Sequence, residues 1–349
     1  MLSSELSAGY HGAFPRVKGV EDIIDFPEQD ATVTGDANQD RFLGAILGMA
    51  IGDAFGMPVA GWSATTISDW YGVVTDYLPR TFPDGEEVSP GEISDETEIA
   101  LCIIESVTAA QGEIDVENIG VRMAYLARSP SRRWLSDTTA SALDGRSEEH
   151  EYQLPLVDDE QVDADILTRG IPIGLMHSMG AFDEQALRAD ASRVTRITHG
   201  SPLALTLVEG AARAVALATR GSLTLDHLRG LIAGGLPDGQ VKSALLRTEE
   251  TQTNEPTRVL ITALDIVGAA SSFQDALEQS VALGGPTDAR TALVGALFGG
   301  HHGSAAIPQR LIDGLEARIF VSLAVPWFYR TVARLSGRAI DLRADFGPL

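Results

Sequence analysis

An all-α fold is predicted by three features of this sequence. Apolar residues recur at spacings of three and four along much of the chain, strand signals are scarce, and helix-start and helix-stop residues stand where that periodicity begins and ends. Segments 39–56, 97–110, 202–219, 224–234, 256–270, 273–283, 290–299 and 308–334 carry the helical spacing, with many Ala and Leu. Ser201-Pro202 places a capping hydroxyl ahead of proline at the first helical position, and Gly221 follows the end of that helix. Thr224 and Ser272 are candidate caps for two others. Gly72 to Leu78 (GVVTDYL) is the single short β-branched run and the one strand expected.

Residues 1–37 are rich in Gly, Pro, Asp and Thr without apolar periodicity and read as an irregular arm. Residues 38–349 show no internal repeat and no Pro/Ser linker, so one domain is expected there. A run from Asp144 to Asp165 holds nine acids against Arg146 alone and reads as a solvated loop, with a lid or partner contact as the functional alternative. Overall, 49 acidic side chains face 26 basic ones, a formal charge of −23. That charge repels phosphates and anionic lipid over about 8 Å in physiological salt, so neither nucleic acid nor a membrane surface is an expected partner. A phosphate-bearing ligand would have to be held locally, by amides, helix N-termini, a metal ion or a few Arg side chains.

The one cysteine, Cys102, lies in an apolar run, so no intramolecular disulfide can form and a cytoplasmic setting is expected. No basic start followed by an apolar stretch marks a secretory signal. The longest apolar helix pattern, Phe42 to Ile51, is about half the roughly 20 residues that span a bilayer.

Four segments carry candidate chemistry. In Arg41 to Ser63, Gly44, Gly48, Gly52 and Gly56 recur every four residues and line one helix face; they serve close helix packing, or they leave a pocket open beside Asp53. In Gly91 to Val107, Ser94-Asp95-Glu96-Thr97 opens a helix. It reads either as a cap with acids in the first turn or as hard oxygen donors for Mg²⁺, Mn²⁺ or Ca²⁺. In Ala282 to Gly303, the Gly284-Gly285-Pro286 turn presents Thr287 and Asp288 at a helix start near Arg290, a corner for an anion or a metal. Adjacent His301 and His302 cannot face one metal from a helix and are assigned a surface or capping role. The fourth segment, Thr198 to Pro202, contains His199, structural on its own and interesting through its company.

These four segments, in this order and spacing, resemble the ADP-ribosylglycohydrolase superfamily, and the similarity runs from about Arg41 to Gln309. The opening GAILGMAIGDAFGMPV is its most characteristic stretch. The resemblance implies a single compact orthogonal multi-helix domain that cleaves the glycosidic bond between ADP-ribose and a protein side chain. It also implies a divalent-metal centre, usually binuclear, with ligands from Thr-Asp-Asp-Thr and Gly-Asp-x-Asp-Thr motifs. Carried onto this chain, the metal ligands are Ser94, Asp95, Glu96 and Asp288, the catalytic acids are Asp95 and Glu96, and the ligand-binding residues are Asp53, His199, Gly284, Gly285, Thr287 and Arg290.

The chain departs from the family at several of these positions. Pro286 stands where a second carboxylate is expected, Ala289 replaces a hydroxyl, and Ala60 replaces a glutamate. In the Gly-rich stretch before Met-Arg-x-x-Pro, here Ala164 to Thr168, only Arg169 and Pro172 match. One ion, most simply Mg²⁺, is therefore expected in place of two. ADP-ribose or an ADP-ribosylated protein is the expected partner. A catalytically silent ADP-ribose binder, or glycosidic elimination or cyclisation on the same scaffold, are the alternatives.

Overall fold

Four glycines spaced one turn apart bring two core helices into backbone contact. The first, α1 (Ala37–Gly56), is buried on every side over residues 44–56. A β-carbon at Gly44, Gly48, Gly52 or Gly56 would lie well under 3.0 Å from a backbone atom of Gly299, Gly295, Thr291 or Thr287 respectively. The partner numbers fall as the α1 numbers rise, so the two helices run antiparallel. Of the two readings of the glycine stripe, the structure supports close packing: the space is filled by a neighbouring backbone.

The computed structural model describes residues 37–82, 85–144, 161–221, 224–246 and 253–337. Among these are fifteen α-helices and one two-stranded ribbon. After α1 come α2 (Ala64–Tyr71), α3 (Asp95–Ala109), α4 (Val116–Leu126), α5 (Asp137–Asp144), α6 (Gly170–Met176), α7 (Glu184–Thr195) and α8 (Pro202–Arg220). Then follow α9 (Leu228–Gly235), α10 (Gln240–Leu246), α11 (Glu255–Ala269), α12 (Phe273–Ala282), α13 (Thr287–His302), α14 (Gln309–Gly314) and α15 (Arg318–Leu335). α13 is the helix that meets the glycine face of α1, and these two form the centre of a continuous apolar core. The all-α, single-domain expectation holds.

Punctuation worked where the chemistry was specific. Ser201 Oγ accepts from Ala204 N (3.2 Å) at the head of α8, and Gly221 ends that helix at a left-handed φ of +62°. Ser272 caps α12 through Asp275 N (3.1 Å). Thr224 does not cap: its hydroxyl bonds His227 Nδ1 instead (2.6 Å). The long helix expected over 308–334 is two, because Leu315 is extended and Glu316 N donates to Gly91 O (3.0 Å) at the break. No strand forms at Gly72–Leu78. Thr75 O there accepts from the side chains of Gln274 (3.0 Å) and Arg310 (2.9 Å) in place of a neighbouring strand. The ribbon lies just beyond, with β1 (Arg80–Thr81) antiparallel to β2 (Glu87–Val88).

Two stretches, Ala37–Val59 and Pro202–Arg220, are long and apolar enough to cross a membrane, which corrects the ten-residue limit read from the sequence. The helix itself was expected over 39–56 and runs over Ala37–Gly56; only its apolar stretch was counted too short, as Phe42 to Ile51. Within the fold, 94% and 72% of these stretches are buried. Cys102 is fully buried on α3, and burial pushes its thiol pKa up. Of the arm expected over 1–37, Ala37 begins α1, and residues 1–36 lie outside the described residues, as do residues 145–160, most of the acidic run.

Candidate active site

The C-terminal end of α1 meets the N-terminal ends of α3 and α13, and the carboxylates gather at this junction. Asp53, on the last turn of α1, is fully buried. Its Oδ2 accepts from Ser94 N (2.9 Å), Thr97 N (3.2 Å) and Thr97 Oγ1 (2.6 Å), and its Oδ1 accepts from Ser94 Oγ (2.5 Å). Ser94 occupies the cap position of α3 without capping it. Asp53 does that work from another helix, by taking the amide at the third helical position that a cap side chain usually takes. Burial raises its pKa to about 6, against the pull of these donors.

Asp95 and Glu96 then stand in the first turn of α3, where the helix dipole favours negative charge. Both are buried, each 3% exposed. Asp95 Oδ2 has no hydrogen-bond partner, whereas Glu96 Oε2 accepts from Thr168 Oγ1 (2.9 Å). Burial is the largest cause raising the pKa of each well above the ordinary carboxylate value. For Asp95 the next causes are the charges of Asp165, Asp288, Asp53 and Glu98; for Glu96 they are Asp95, Asp288, Asp165 and Asp53. Asp288 belongs to the first turn of α13, where its Oδ1 accepts from Ala289 N (2.9 Å). Burial and Asp165 push its pKa up, while two backbone amides and the Arg80 guanidinium pull it down.

Asp165 is the residue that sequence reasoning missed. It was counted within a solvated acidic loop, but its side chain is only 10% exposed, on the 3-10 turn Ala164–Arg169. Its Oδ2 accepts from Ser136 Oγ (3.0 Å) and Thr139 Oγ1 (3.2 Å), and Arg169 lies 3.9 Å away. The available signal was that spacing, an acid four residues before the matched Arg169. Glu98 is a second addition: Ser131 Oγ donates to its Oε1 (2.9 Å), and burial raises its pKa to about 7.

His199 is buried behind this group. The fully buried Arg169 donates to Thr198 Oγ1 and to Thr139 Oγ1 (2.7 Å), and Thr198 Oγ1 lies 2.9 Å from His199 Nδ1. Since Thr198 accepts from Arg169, its own proton goes to Nδ1, and Nε2 carries the ring proton. Burial and the nearby guanidinium lower the His199 pKa to about 4, so the imidazole is neutral at physiological pH.

The remaining candidates shape the scaffold. Gly284 and Gly285 take left-handed φ values of +63° and +73°. Gly285 N donates to Trp62 O (2.8 Å), Gly61 N donates to Gly285 O (2.9 Å), and the turn is thereby clipped to the segment after α1. Thr287 Oγ1 donates to Gly56 O (2.7 Å), joining the end of α1 to the start of α13. Arg290 donates to Ser280 O and Gly284 O (both 2.7 Å) and bonds the turn from beneath; burial lowers its pKa to about 10. Gly284, Gly285 and Arg290 line a cleft of about 270 Å³ with Glu255 and Arg258, and Asp95 and Glu96 are not part of that lining. His301 and His302 stand in the last turn of α13, where His302 lies against Phe298 with 4.3 Å between ring centroids.

The sequence profile of the family described as ADP-ribosylglycohydrolase matches residues 34–343. The chain belongs to the ADP-ribosylglycohydrolase family. ADP-ribosyl-[dinitrogen reductase] glycohydrolase of Rhodospirillum rubrum is 27% identical over 312 residues, covering 82% of this chain and 94% of that protein. An uncharacterized protein of Archaeoglobus fulgidus is 27% identical over 325 residues, covering 85% and 98%. A solved structure titled ADP-ribosylglycohydrolase-related protein complex superposes with a TM-score of 0.70 at 26% identity, covering 85% of this chain and 99% of that one. Membership of the ADP-ribosylglycohydrolase family makes this chain hydrolase-type.

A divalent ion suits the donor chemistry of the cluster. The carboxylates are hard oxygen donors that repel one another, and Asp95 Oδ2 is buried without a partner. Ser94 and Thr97 spend their hydroxyl protons on Asp53, so only lone pairs remain on those oxygens. Among the described residues, no three Asp, Glu, His or Cys side chains converge closely enough to cage one ion, so water would have to complete its shell.

A pH dependence follows from these carboxylates. The folded pKa values of Glu98 (4.5 to about 7) and Asp53 (3.8 to about 6) lie above the unfolded ones, so folding takes up protons. Their contribution to stability is complete below pH 4 and is lost as pH rises through 6 and 7. For Glu98 alone the shift corresponds to about 3 kcal/mol. In EDTA, the Tm is expected to fall between pH 5 and pH 8 in differential scanning fluorimetry, and Glu98→Gln is expected to flatten that slope. A Tm rising over the same window would contradict the assignment.

Proposed function

We propose that this protein is an ADP-ribosyl-acceptor hydrolase, releasing ADP-ribose from a modified side chain or small molecule. Family membership supplies the glycohydrolase chemistry. The observation that carries the assignment to this junction is Asp95, a carboxylate 3% exposed with one oxygen unpartnered among like charges. Such a group has an increased proton affinity and is a stronger base than a surface aspartate.

In this reading Asp95 takes a proton from water as its oxygen bonds the anomeric carbon. Glu96, whose carboxyl also holds a proton tightly and is oriented by Thr168, gives a proton to the departing nitrogen or oxygen. His199, neutral and with Nε2 protonated, acts as a hydrogen-bond donor without adding charge. A divalent cation, most simply Mg²⁺ with Mn²⁺ or Ca²⁺ as substitutes, would orient the ribose diol and offset the carboxylate repulsion; because no three acids converge on one ion among the described residues, Asp95, Glu96 and Asp288 would not all bind it directly as the sequence suggested, and water would stand in for some of them.

Calorimetry with ADP-ribose, in Mg²⁺ and in EDTA, tests the binding half of this proposal, and release of ADP-ribose from ADP-ribosyl-arginine and ADP-ribosyl-serine peptides tests the chemistry. Metal-dependent binding with turnover is expected. Binding that survives EDTA without turnover would replace the hydrolase by a silent ADP-ribose binder, the alternative that Pro286, Ala289 and Ala60 favour. The product mass separates hydrolysis, which adds water, from elimination or cyclisation.

A further inference from the structure

We propose that Asp165 is a direct carboxylate ligand, with Asp95, for a hydrated divalent cation, supplying from the Ala164–Arg169 turn the carboxylate that α13 lacks at Pro286. The proposal takes the α1, α3 and α13 junction to be the active centre, and in that respect it rests on the function proposed above.

Asp165 Oδ1 and Asp95 Oδ2 are buried oxygens without a hydrogen-bond partner, and both belong to one electrostatically linked cluster. A carboxylate oxygen excluded from water and from donors costs several kcal/mol unless a cation or a proton meets it. After burial itself, the charge of Asp165 is the largest influence on Asp95, and it also acts on Glu96 and Asp288. The Asp165 carboxylate is also oriented: Ser136 Oγ and Thr139 Oγ1 both donate to Oδ2, which leaves Oδ1 to face a ligand.

The nearby guanidinium pairs with Oδ2 and leaves Oδ1 without a donor. Arg169 stands 3.9 Å away and directs its hydrogen bonds to Thr139 and Thr198. On α13, Asp288 stands two residues after Pro286, which has no donor oxygen in its side chain. The cluster therefore has its carboxylates on α3, on α13 and on the 3-10 turn. With no three of these groups converging, two direct carboxylates and several waters describe the site, the arrangement that Mg²⁺ and Mn²⁺ accept readily.

The test is Mn²⁺ binding to the full chain, followed by calorimetry and by the electron paramagnetic resonance signal of free Mn²⁺. The wild-type protein is expected to bind one ion, and Asp165→Asn, which keeps the shape and an acceptor for Ser136, is expected to weaken binding at least tenfold. Asp163→Asn, two residues away on the same segment, is expected to bind as the wild type does. In EDTA the Tm of Asp165→Asn sets the metal-free baseline, and the rise in Tm that Mn²⁺ gives the wild type is expected to be largely lost in the variant; a merely structural aspartate would lower the baseline and leave that rise intact. If Asp165→Asn does not fold, Asp165→Ser is measured with the same expectations. Wild-type affinity in the folded variant, or no uptake of millimolar Mn²⁺ by the wild-type protein, overturns the proposal. Uptake without turnover would sink the hydrolase reading and leave this one standing.

Discussion

Asp95→Asn is expected to lower turnover at least a hundredfold while the protein stays folded. The substitution keeps the volume of the side chain at the head of α3 and removes its basicity. General-base catalysis contributes roughly 10²–10⁴ in rate, so loss of the base alone falls in that range. The stability consequence has the opposite sign to the usual one. Asp95 is buried, one of its oxygens has no partner, and Asp165, Asp288, Asp53 and Glu98 all raise its pKa, so neutralising it relieves repulsion in metal-free protein. A Tm in EDTA equal to or above wild type, together with lost release of ADP-ribose, is the expected pair. Retained turnover would move the reaction away from α3, and lost turnover with a collapsed Tm would mean that Asp95 serves folding alone.

Gly48→Ala is expected to destabilise the protein by more than about 3 kcal/mol, although alanine is the better helix former by roughly 1 kcal/mol. The β-carbon would meet the Gly295 carbonyl, a backbone atom in a helix that is itself buried and cannot retreat. The sign therefore discriminates between packing and propensity. Gly230→Ala, at a position on α9 with no atom within 4 Å of the new carbon, is expected to be neutral or stabilising by up to about 1 kcal/mol. Urea unfolding of the two variants checks both, and a stabilised Gly48→Ala would show that α1 and α13 can part at little cost.

Much of the fold was legible because long, strongly periodic helices declare themselves. The helices α1, α3, α8, α11, α12 and α13 each carry an apolar stripe or an all-apolar face, and their ends were placed within a few residues. The short helices α2, α5, α6 and α10, of seven or eight residues, hold too few turns for periodicity to register. Gly72–Leu78 has the composition of a strand, but a strand needs a partner, and Gln274 and Arg310 take the Thr75 carbonyl that a partner would have used. Pairing is a tertiary fact that local composition does not contain.

The site was legible in its motifs and not in its connections. Ser94 to Thr97 announced a group of oxygens, but that Asp53 caps α3 across forty residues of chain could not be read from either segment. Gly284, Thr287 and Arg290 were read as ligand-binding groups; what the sequence did not hold is that Thr287 also ties α13 to α1 through Gly56 O, and that Arg290 ties the turn to α12 through Ser280 O and Gly284 O. Asp165 was hidden by company, since an acid in an acidic run resembles its neighbours until the fold draws it inside.

The glycine contact between α1 and α13 works like a toothed rack. Gly44, Gly48, Gly52 and Gly56 meet Gly299, Gly295, Thr291 and Thr287 at one-tooth intervals of four residues, about 6 Å of helix rise. A slip would carry each glycine off the backbone it faces and bring residues with side chains toward it, where the present spacing leaves no room for a β-carbon. A slip of a whole notch would carry Asp288 about 6 Å along α1, away from the carboxylates it faces. The acids at the ends of the two helices thus inherit their register from a contact made along the whole length of α1.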